Sequence, residues 1–350
     1  MTPLRQGSGG QAARRLLLDR SPGEARGVVL LEGRPERLWI ERDGEATGPR
    51  LGERYRARVE EISQGLGLAR LVLGLGLEAA LPLAKGGQPR GAIVEIEIAA
   101  EPRGAKAAVA RLIGPSAGAP ERLSAAPDLQ ARLAAAAPGV QIEQGDDARE
   151  AADEAEDAAL AAGHPLSGGV TLFIEPTRAL TAIDVDWTGP PRPSAAAAVR
   201  ANIEALGAAA RLLRLKSIGG AIVIDLIGFP RDREAIQGAA RQAFAPDDPG
   251  VVVLTPNRFG LLQLAKPHRE RPLREVLCAA DGRLSARSVA QRLARAMERQ
   301  GRADPGARLI AECAPEVATE LRPLVQAMGP RFGVAEALGW DRLKTDIRSR

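Results

Sequence analysis

The tightest constraint on the fold lies in residues 179–227. "RALTAIDVDW" alternates apolar and polar side chains, "SAAAAVRANIEALGAAARLLRLK" spaces its apolar residues as a helix does, and "AIVIDLIGF" is apolar almost throughout. A strand sends alternate side chains to one face, so Ile183 and Val185 share one side while Asp184 and Asp186 share the other. In the second segment Val199, Ile203, Leu206, Ala210 and Leu213 form one stripe, with Ser194 as N-cap and Gly219–Gly220 as the stop. The third segment has the texture of a strand buried on both faces. Strand 179–186, helix 195–216 and strand 221–227 therefore predict a right-handed crossover joining two parallel strands.

Parallel strands bring their carboxyl ends to one sheet edge, where open α/β folds place their sites. Asp184 stands near the end of the first strand and Asp225 central to late in the second, so the two are able to converge. Two or three carboxylates on a sheet edge form a hard oxygen site of the kind magnesium accepts. Spacing alone fits equally well with strand-end carboxylates that cap backbone groups or pair with basic residues. Other chemistry finds little support. His164 in "GHPLSGG" and His268 in "AKPHRERP" are near no serine or cysteine in a catalytic arrangement. No Walker-type phosphate loop is present, and the glycines of "GLGLARLVLGLG" precede no helix, which excludes a dinucleotide fingerprint.

Elsewhere the texture is different. Residues 13–42 alternate in a strand-like way, and "GGVTLFIEP" with "RALTAIDVDW" predicts a hairpin around Pro176 and Thr177. Residues 51–114 hold about five short strands between Gly-rich turns, which suits a small closed barrel of the oligonucleotide-binding type. Residues 115–166 are rich in Ala and Pro and carry the acidic stretch "DDAREAADEAEDAALAAG", expected to be a solvated helix face. Residues 283–350 suit a small α/β domain. The expected fold class is α/β of a multidomain, α+β kind. Its parts are an N-terminal β segment (1–48), a barrel (49–115), a connecting segment (116–167), a mixed α/β domain with parallel strands carrying the aspartates (168–275), and a small C-terminal α/β domain (283–350).

The 350 residues leave room for two or three small cores. A net charge of +4 permits a nucleic-acid partner without demanding one. Aromatic residues make up only 3%, which argues against many base-stacking platforms. Cys278 and Cys313 do not make a disulfide framework. No segment reads as a signal peptide and no run approaches the roughly 18 apolar residues of a bilayer span. A cytoplasmic protein without a membrane partner is expected.

"ALTAIDVD", "RANIEALGAAARLLRLKSIGGAIVIDLI" and "NRFGLLQLAK" together resemble the catalytic core of the ribonuclease E/G family. That family's pattern runs Ala-Leu-Thr-Ala-Ile-Asp-Ile-Asn, then Asn-x-Glu-Ala, Arg-x-Leu-Arg-Leu-Arg, Gly-Gly-x-Ile-Val-Ile-Asp-Phe-Ile and Arg-Phe-Gly-Leu. The resemblance is strong over residues 168–266. "GERYRARVEEI" and "EPRGAKAA" are similar to its S1 RNA-binding insertion, and residues 307–349 to its small C-terminal domain; residues 1–48 resemble a remnant of its ribonuclease-H-like domain. The resemblance implies that Asp184 and Asp225 hold a catalytic magnesium, or manganese in its place. It sets Asp186 where the family has an Asn that orients the first aspartate, so Asp186 tunes the ion or adds a third ligand. Asn202 and Glu204 match the helix motif, Arg258 and Lys266 the basic segment near the site, and Lys106 an RNA-contacting lysine of S1. Asn202, Arg258, Lys266 and Lys106 are thereby implied as RNA-binding.

The departures carry expectations of their own. The family's Cys-Pro-x-Cys zinc link becomes "CAAD", with Asp281 replacing the second cysteine, so zinc and a zinc-linked dimer are not expected; a homodimer of another kind stays open. Arg70, Leu73 and Ala80 stand where the S1 aromatics belong, and Gly228 and Gln263 replace acidic residues. Most of the segment holding the family's 5′-monophosphate pocket is gone, and Arg111, Arg122, Arg132 and Arg149 make poor substitutes. The implied activity is magnesium-dependent endonucleolytic cleavage of single-stranded RNA by a metal-activated water, in RNA processing or decay. The alternative is a degenerate RNA-binding protein of the same family with weak catalysis.

Overall fold

Hydrogen-bonded strands form four sheets in the computed structural model, which describes residues 13–45, 48–83, 87–189, 193–228 and 232–349. The first sheet is an antiparallel meander of β1 (Arg14–Ser21), β2 (Glu24–Leu31) and β3 (Arg34–Arg42). After it the chain builds a barrel from β4 (Arg54–Ser63), β5 (Leu68–Gly74), β6 (Leu77–Pro82), β7 (Ile93–Ala100) and β8 (Ala108–Pro115). The strand order is β5-β6-β8-β7-β4, and β4 pairs back onto β5 to close it. Alternate residues fill the inside, among them Tyr55, Ala57, Val59, Leu71, Leu73, Ile96 and Ile98. This is the five-stranded, oligonucleotide-binding-type barrel that the Gly-rich turns imply. A short β9 (Glu121–Ser124) extends it beside β4.

The segment expected to be a connector is folded. α1 (Leu129–Ala136), capped by Asp128, sets Leu129 and Leu133 against Leu16, Leu18 and Val29. β10 (Ile142–Glu143) adds to β1 in parallel. α2 (Asp146–Leu160) buries Ala148, Ala151, Ala152, Ala155 and Ala159 in a core shared with Leu17, Val28, Leu30 and Leu38. Residues 13–42 and 129–160 thus form one unit into which the barrel is inserted. The acidic stretch is only outwardly a solvated face: alanines on its inner side let the helix lie close to the sheet, and a search for large apolar residues passes over them.

The third sheet follows: β11 (Gly163–Pro165), β12 (Val170–Pro176), β13 (Thr181–Trp187), α3 (Ala195–Leu215), β14 (Gly220–Asp225), α4 (Arg233–Phe244), β15 (Val252–Val253), β16 (Leu261–Lys266) and α5 (Leu273–Leu277). Its order is β11-β12-β13-β14-β16-β15, in which β13–β14 is the parallel pair and the other neighbours run antiparallel. The Ser194 hydroxyl accepts from Ala197 N at 3.2 Å and starts α3, as the sequence implies. Leu206, Ala209, Ala210 and Leu213 of that helix pack with Leu172, Ile174, Ile183, Ile222 and Ile224 of the sheet. β14 departs from expectation. Ile222 and Ile224 are buried, but Ala221 and Asp225 are exposed, so the sheet is covered on one face and open on the other.

The C-terminal domain comprises α6 (Ala286–Ala303), β17 (Leu309–Cys313), α7 (Pro315–Met328), β18 (Phe332–Glu336) and β19 (Thr345–Ser349), with sheet order β18-β17-β19 and its own core around Met297, Leu309 and Leu321. Among the described residues no helix is long and apolar enough to cross a membrane.

A buried ionic cluster fastens this domain to the first unit. The fully buried Arg26 on β2 donates to Asp19 (2.7 Å), Asp153 (2.8 Å) and Glu156 (3.2 Å). Arg295 on α6 donates to Glu156 at 2.9 Å and also reaches Glu24. Arg42 closes onto Glu24 at 2.8 Å. Burial alone would raise the Glu156 carboxyl, yet Arg295, Arg292 and Arg26 beside it hold it below the usual carboxylate range. Removing one member strands the others in a dry interior. Arg26→Met is therefore expected to cost about 3–5 kcal/mol, read from the denaturant midpoint at neutral pH. Arg283→Ala, which breaks an exposed pair with Asp341, should leave it nearly unchanged.

Candidate active site

Register decides what the open face presents. β13 and β14 run parallel with Thr181 opposite Ile222 and Asp184 opposite Asp225, so the two aspartates are cross-strand neighbours on strands about 4.8 Å apart. Ile183, Val185, Ile222 and Ile224 turn to the core, which leaves Asp184, Asp186 and Asp225 on the exposed side. β12 sets Phe173 beside Asp184 and Thr171 beside Asp186; β16 sets Leu261 beside Asp225.

The electrostatics are one-sided. Partial burial, then Asp225, Asp186 and Glu175, push the Asp184 carboxyl above the usual aspartate range, and every charged group that shifts it is another carboxylate. Among the described residues none of the three aspartates forms a salt bridge. The alternative of ordinary strand-end ion pairs therefore lacks its basic partners there. Nor do three ligating side chains converge among the described residues. The site rests on the Asp184–Asp225 pair, with Asp186 one step, about 7 Å, further along the same strand face.

Loop geometry shapes the rim. Asn202, 1% exposed on α3, donates from Nδ2 to Ile227 O at 3.1 Å and accepts Ile227 N at 2.9 Å. Its amide thus holds the segment that follows Asp225, a structural use that leaves no surface for RNA. Asn257 Oδ1 accepts from Phe259 N and Leu261 N, forming the turn that leads into β16. Gly260, at φ +89°, lets that turn close on Gly228: a Cβ there would stand 3.1 Å from Gly228 O. Arg258 is exposed at the crest, its guanidinium 5.1 Å from the Phe259 ring, on the Asp225 side of the sheet. Glu204 lies outside the pair's surroundings and accepts from Ser167 Oγ at 2.6 Å.

Two expected RNA contacts lie elsewhere. Because β16 is antiparallel to β14, Lys266 pairs with Gly220 while Leu261 pairs with Asp225. Lys266 is roughly 17 Å of strand away from the aspartates, half-buried, and engaged with Asp247 at 3.3 Å and Ile218 O at 3.2 Å. Lys106, in a barrel turn, lines a cavity of about 830 Å³ with Thr177, Lys216, His268 and Arg274, at the amino ends of β13 and β14. Burial, followed by Arg103 and Lys106, lowers His268 to about 4, a sign of the positive surroundings there.

The departures noted in the sequence also have their places. Arg70 lies between Glu61 (3.4 Å) and Glu78 (2.7 Å) on the barrel surface, whereas Leu73 points into the barrel core and was never a surface position. Asp281 accepts from Arg283 N and from Arg342, three residues beyond Cys278. Arg111, Arg122, Arg132 and Arg149 are each paired with a carboxylate, namely Glu97, Glu53, Glu270 and Asp19.

Residues 144–269 match the model of the ribonuclease E/G family. This span takes in α2, the whole third sheet, both aspartates and Arg258. Over it, the chain is similar to the ribonuclease E/G family. The chain is 34% identical to ribonuclease E of Haemophilus influenzae over 105 residues, 29% of this chain and 11% of that one. With ribonuclease E of Escherichia coli the identity is 35% over 105 residues, 29% and 10% of the two chains. With ribonuclease G of Escherichia coli K12 it is 31% over 118 residues, 32% and 24%. The chain thus spans between 10% and 24% of the length of these relatives. The family likeness starts at α2, earlier than the motifs around Asp184 suggest.

The raised Asp184 carboxyl carries a sign. A carboxyl whose folded pKa exceeds its unfolded value adds stability below the unfolded pKa, and loses it as pH rises through the folded pKa. Ionised at neutral pH, Asp184 is a cost to the metal-free fold. Asp184→Asn is therefore expected to raise the melting temperature in EDTA at pH 7 and to leave it nearly unchanged at pH 3. An equal shift at both pH values would show that the carboxylates do not repel.

Proposed function

We propose that this protein is a divalent-metal-dependent endoribonuclease acting on single-stranded RNA. The observation that supports it most is the Asp184–Asp225 register pair, on an open sheet face inside the family segment and without a basic partner among the described residues. Magnesium favours such a site, since it takes one or two carboxylates and keeps waters and phosphate oxygens for its other positions; manganese is bound by the same oxygen donors. A bound ion would supply an activated water and neutralise charge developing on the phosphodiester.

The protein's own groups do the rest. Asp184 and Asp225, ionised, concentrate negative charge where a cation is needed. Asp186 adds to that field from one step along the strand. Asn202 keeps the segment after Asp225 in place, so the second carboxylate does not swing with its loop. Arg258, exposed on the Asp225 side, is a cation suited to backbone phosphates, which fix position more than sequence. By family resemblance the products would carry a 5′-phosphate and a 3′-hydroxyl. One observation favours the second reading, an RNA-binding protein with weak turnover: the barrel surface offers Arg70 locked between two glutamates in place of an aromatic.

The deciding experiment incubates purified protein with an end-labelled single-stranded RNA, with magnesium and with EDTA. Cleavage only with magnesium is expected. Asp184→Asn and Asp225→Asn should each lower the rate on the order of 10³-fold, the scale of losing a group that acts on transition-state charge, while RNA binding in EDTA stays within about threefold. Full activity in either variant would remove the assignment. Arg258→Ala should raise KM several-fold and flatten the salt dependence by about one unit of slope.

A further inference from the structure

We propose that Phe173 is a stacking platform for one unpaired nucleobase of the RNA, held by strand register next to the cleavage centre. The proposal rests on the reading of the aspartate pair as that centre. Three observations lead to it. The registers of four neighbouring strand pairs place Gly163, Phe173, Asp184, Asp225 and Leu261 in a single row across the sheet. In strands, cross-sheet neighbours share a face, so the Phe173 ring belongs to the same open side as the aspartates. Its backbone is about 5 Å from that of Asp184.

The ring is seated but not covered. A Cβ at residue 163 would stand 2.9 Å from Phe173 Cε1, so the ring rests on Gly163, which leaves it the room. Phe173 nonetheless stays 36% exposed. Its neighbours along β12 on this face are Thr171 and Glu175, which offer no apolar cover.

Aromatic residues are scarce here, 3% of the chain, and most of those described are buried or half-buried. Among the described residues only Phe173 and Phe259 are exposed aromatics, and they stand on opposite sides of the aspartate pair, one on β12 and one in the turn before β16. The barrel surface, with Arg70 between Glu61 and Glu78, gives no such platform. Base contact is therefore transferred from the barrel to the catalytic sheet. A ring tolerates any base, because every base presents a π-face, but it demands that the base be unpaired. Discrimination against duplex follows from this arrangement rather than from the barrel.

The test uses the full chain in EDTA, where no cleavage interferes. Phe173→Trp is titrated with a single-stranded oligonucleotide, with its duplex, and with a set of strands each abasic at one position; the wild-type fluorescence of Trp39, Trp187 and Trp340 is subtracted. Quenching by the single strand is expected, lost in the duplex and lost for one abasic position. Phe173→Ala should bind the intact strand about tenfold more weakly, about 1.4 kcal/mol. It should bind the strand abasic at that position no more weakly than wild type does, and tryptophan but not leucine at 173 should restore affinity. A lowered melting temperature with equal affinity losses for intact and abasic strands would make the ring a packing group and overturn the proposal. Failure of the wild type to cleave RNA in magnesium, with the base-dependent quenching retained, would instead overturn the cleavage reading alone. Cleavage without any base dependence at Phe173 would overturn only the platform.

Discussion

Two like charges held side by side by a parallel register are the constraint around which the rest of the structure is arranged. Asp184 and Asp225 are opposite one another on β13 and β14, and the Asp184 carboxyl is displaced upward by burial and by its acidic neighbours. Repulsion between the two carboxylates works against this register. What opposes that lies on the other face, where Ile183, Val185, Ile222 and Ile224 pack onto Leu206, Ala209 and Leu213 of α3. Each fully buried aliphatic side chain contributes about 1.5–3 kcal/mol, and a one-residue slip would turn the whole set outward. The crossover helix therefore acts as the lock on the site. Asn202, on that same helix, links the lock directly to the segment following Asp225.

The same division between dry packing and charge recurs at the scale of domains. The sheet and the first unit share an apolar core through α2, whose alanines permit close approach. The C-terminal domain has its own core and joins through Arg295, Glu156, Glu24 and Arg26 instead. An ionic joint of this kind is weak evidence for stability, but each buried charge in it depends on its partners staying in place.

What the sequence made legible were the features carried by periodicity. Alternation revealed β12, β13 and their hairpin, and helical spacing with Ser194 revealed α3. Gly-rich turns revealed the barrel, and the two aspartates followed from strand parity. The losses have separate physical causes. The resemblance implies Lys266 near the site together with Arg258, but the antiparallel sense of β16, a tertiary fact no short motif carries, sends Lys266 to the far end. Asn202 was expected to touch RNA because a polar residue in a motif looks the same whether its amide is spent on a loop or offered to a ligand. α2 was expected to be solvated because its outward acids outnumber any large apolar residue, although Arg149 and Glu156 on it are buried. Phe173 drew no notice because a lone aromatic in an alternating strand reads as packing, and only the register across β11 to β14 reveals which face it is on.

Affinity and turnover are separable in such an arrangement. The open face is acidic at its centre, so a polyanionic strand gains nothing from the aspartates until a divalent ion screens them. Cationic groups are placed off-centre: Arg258 beyond β14, and Lys106 and Arg274 around the cavity at the strands' amino ends. Those groups attract phosphate whether or not the ion is present, and the attraction weakens with salt. The proposed metal site, by contrast, would respond to the ion and to pH, since a protonated Asp184 cannot serve as a ligand. Under the proposed function, such a chain would hold RNA by its rim and commit to chemistry only when the centre is both ionised and loaded. Salt therefore acts on the first step, and metal and acid on the second.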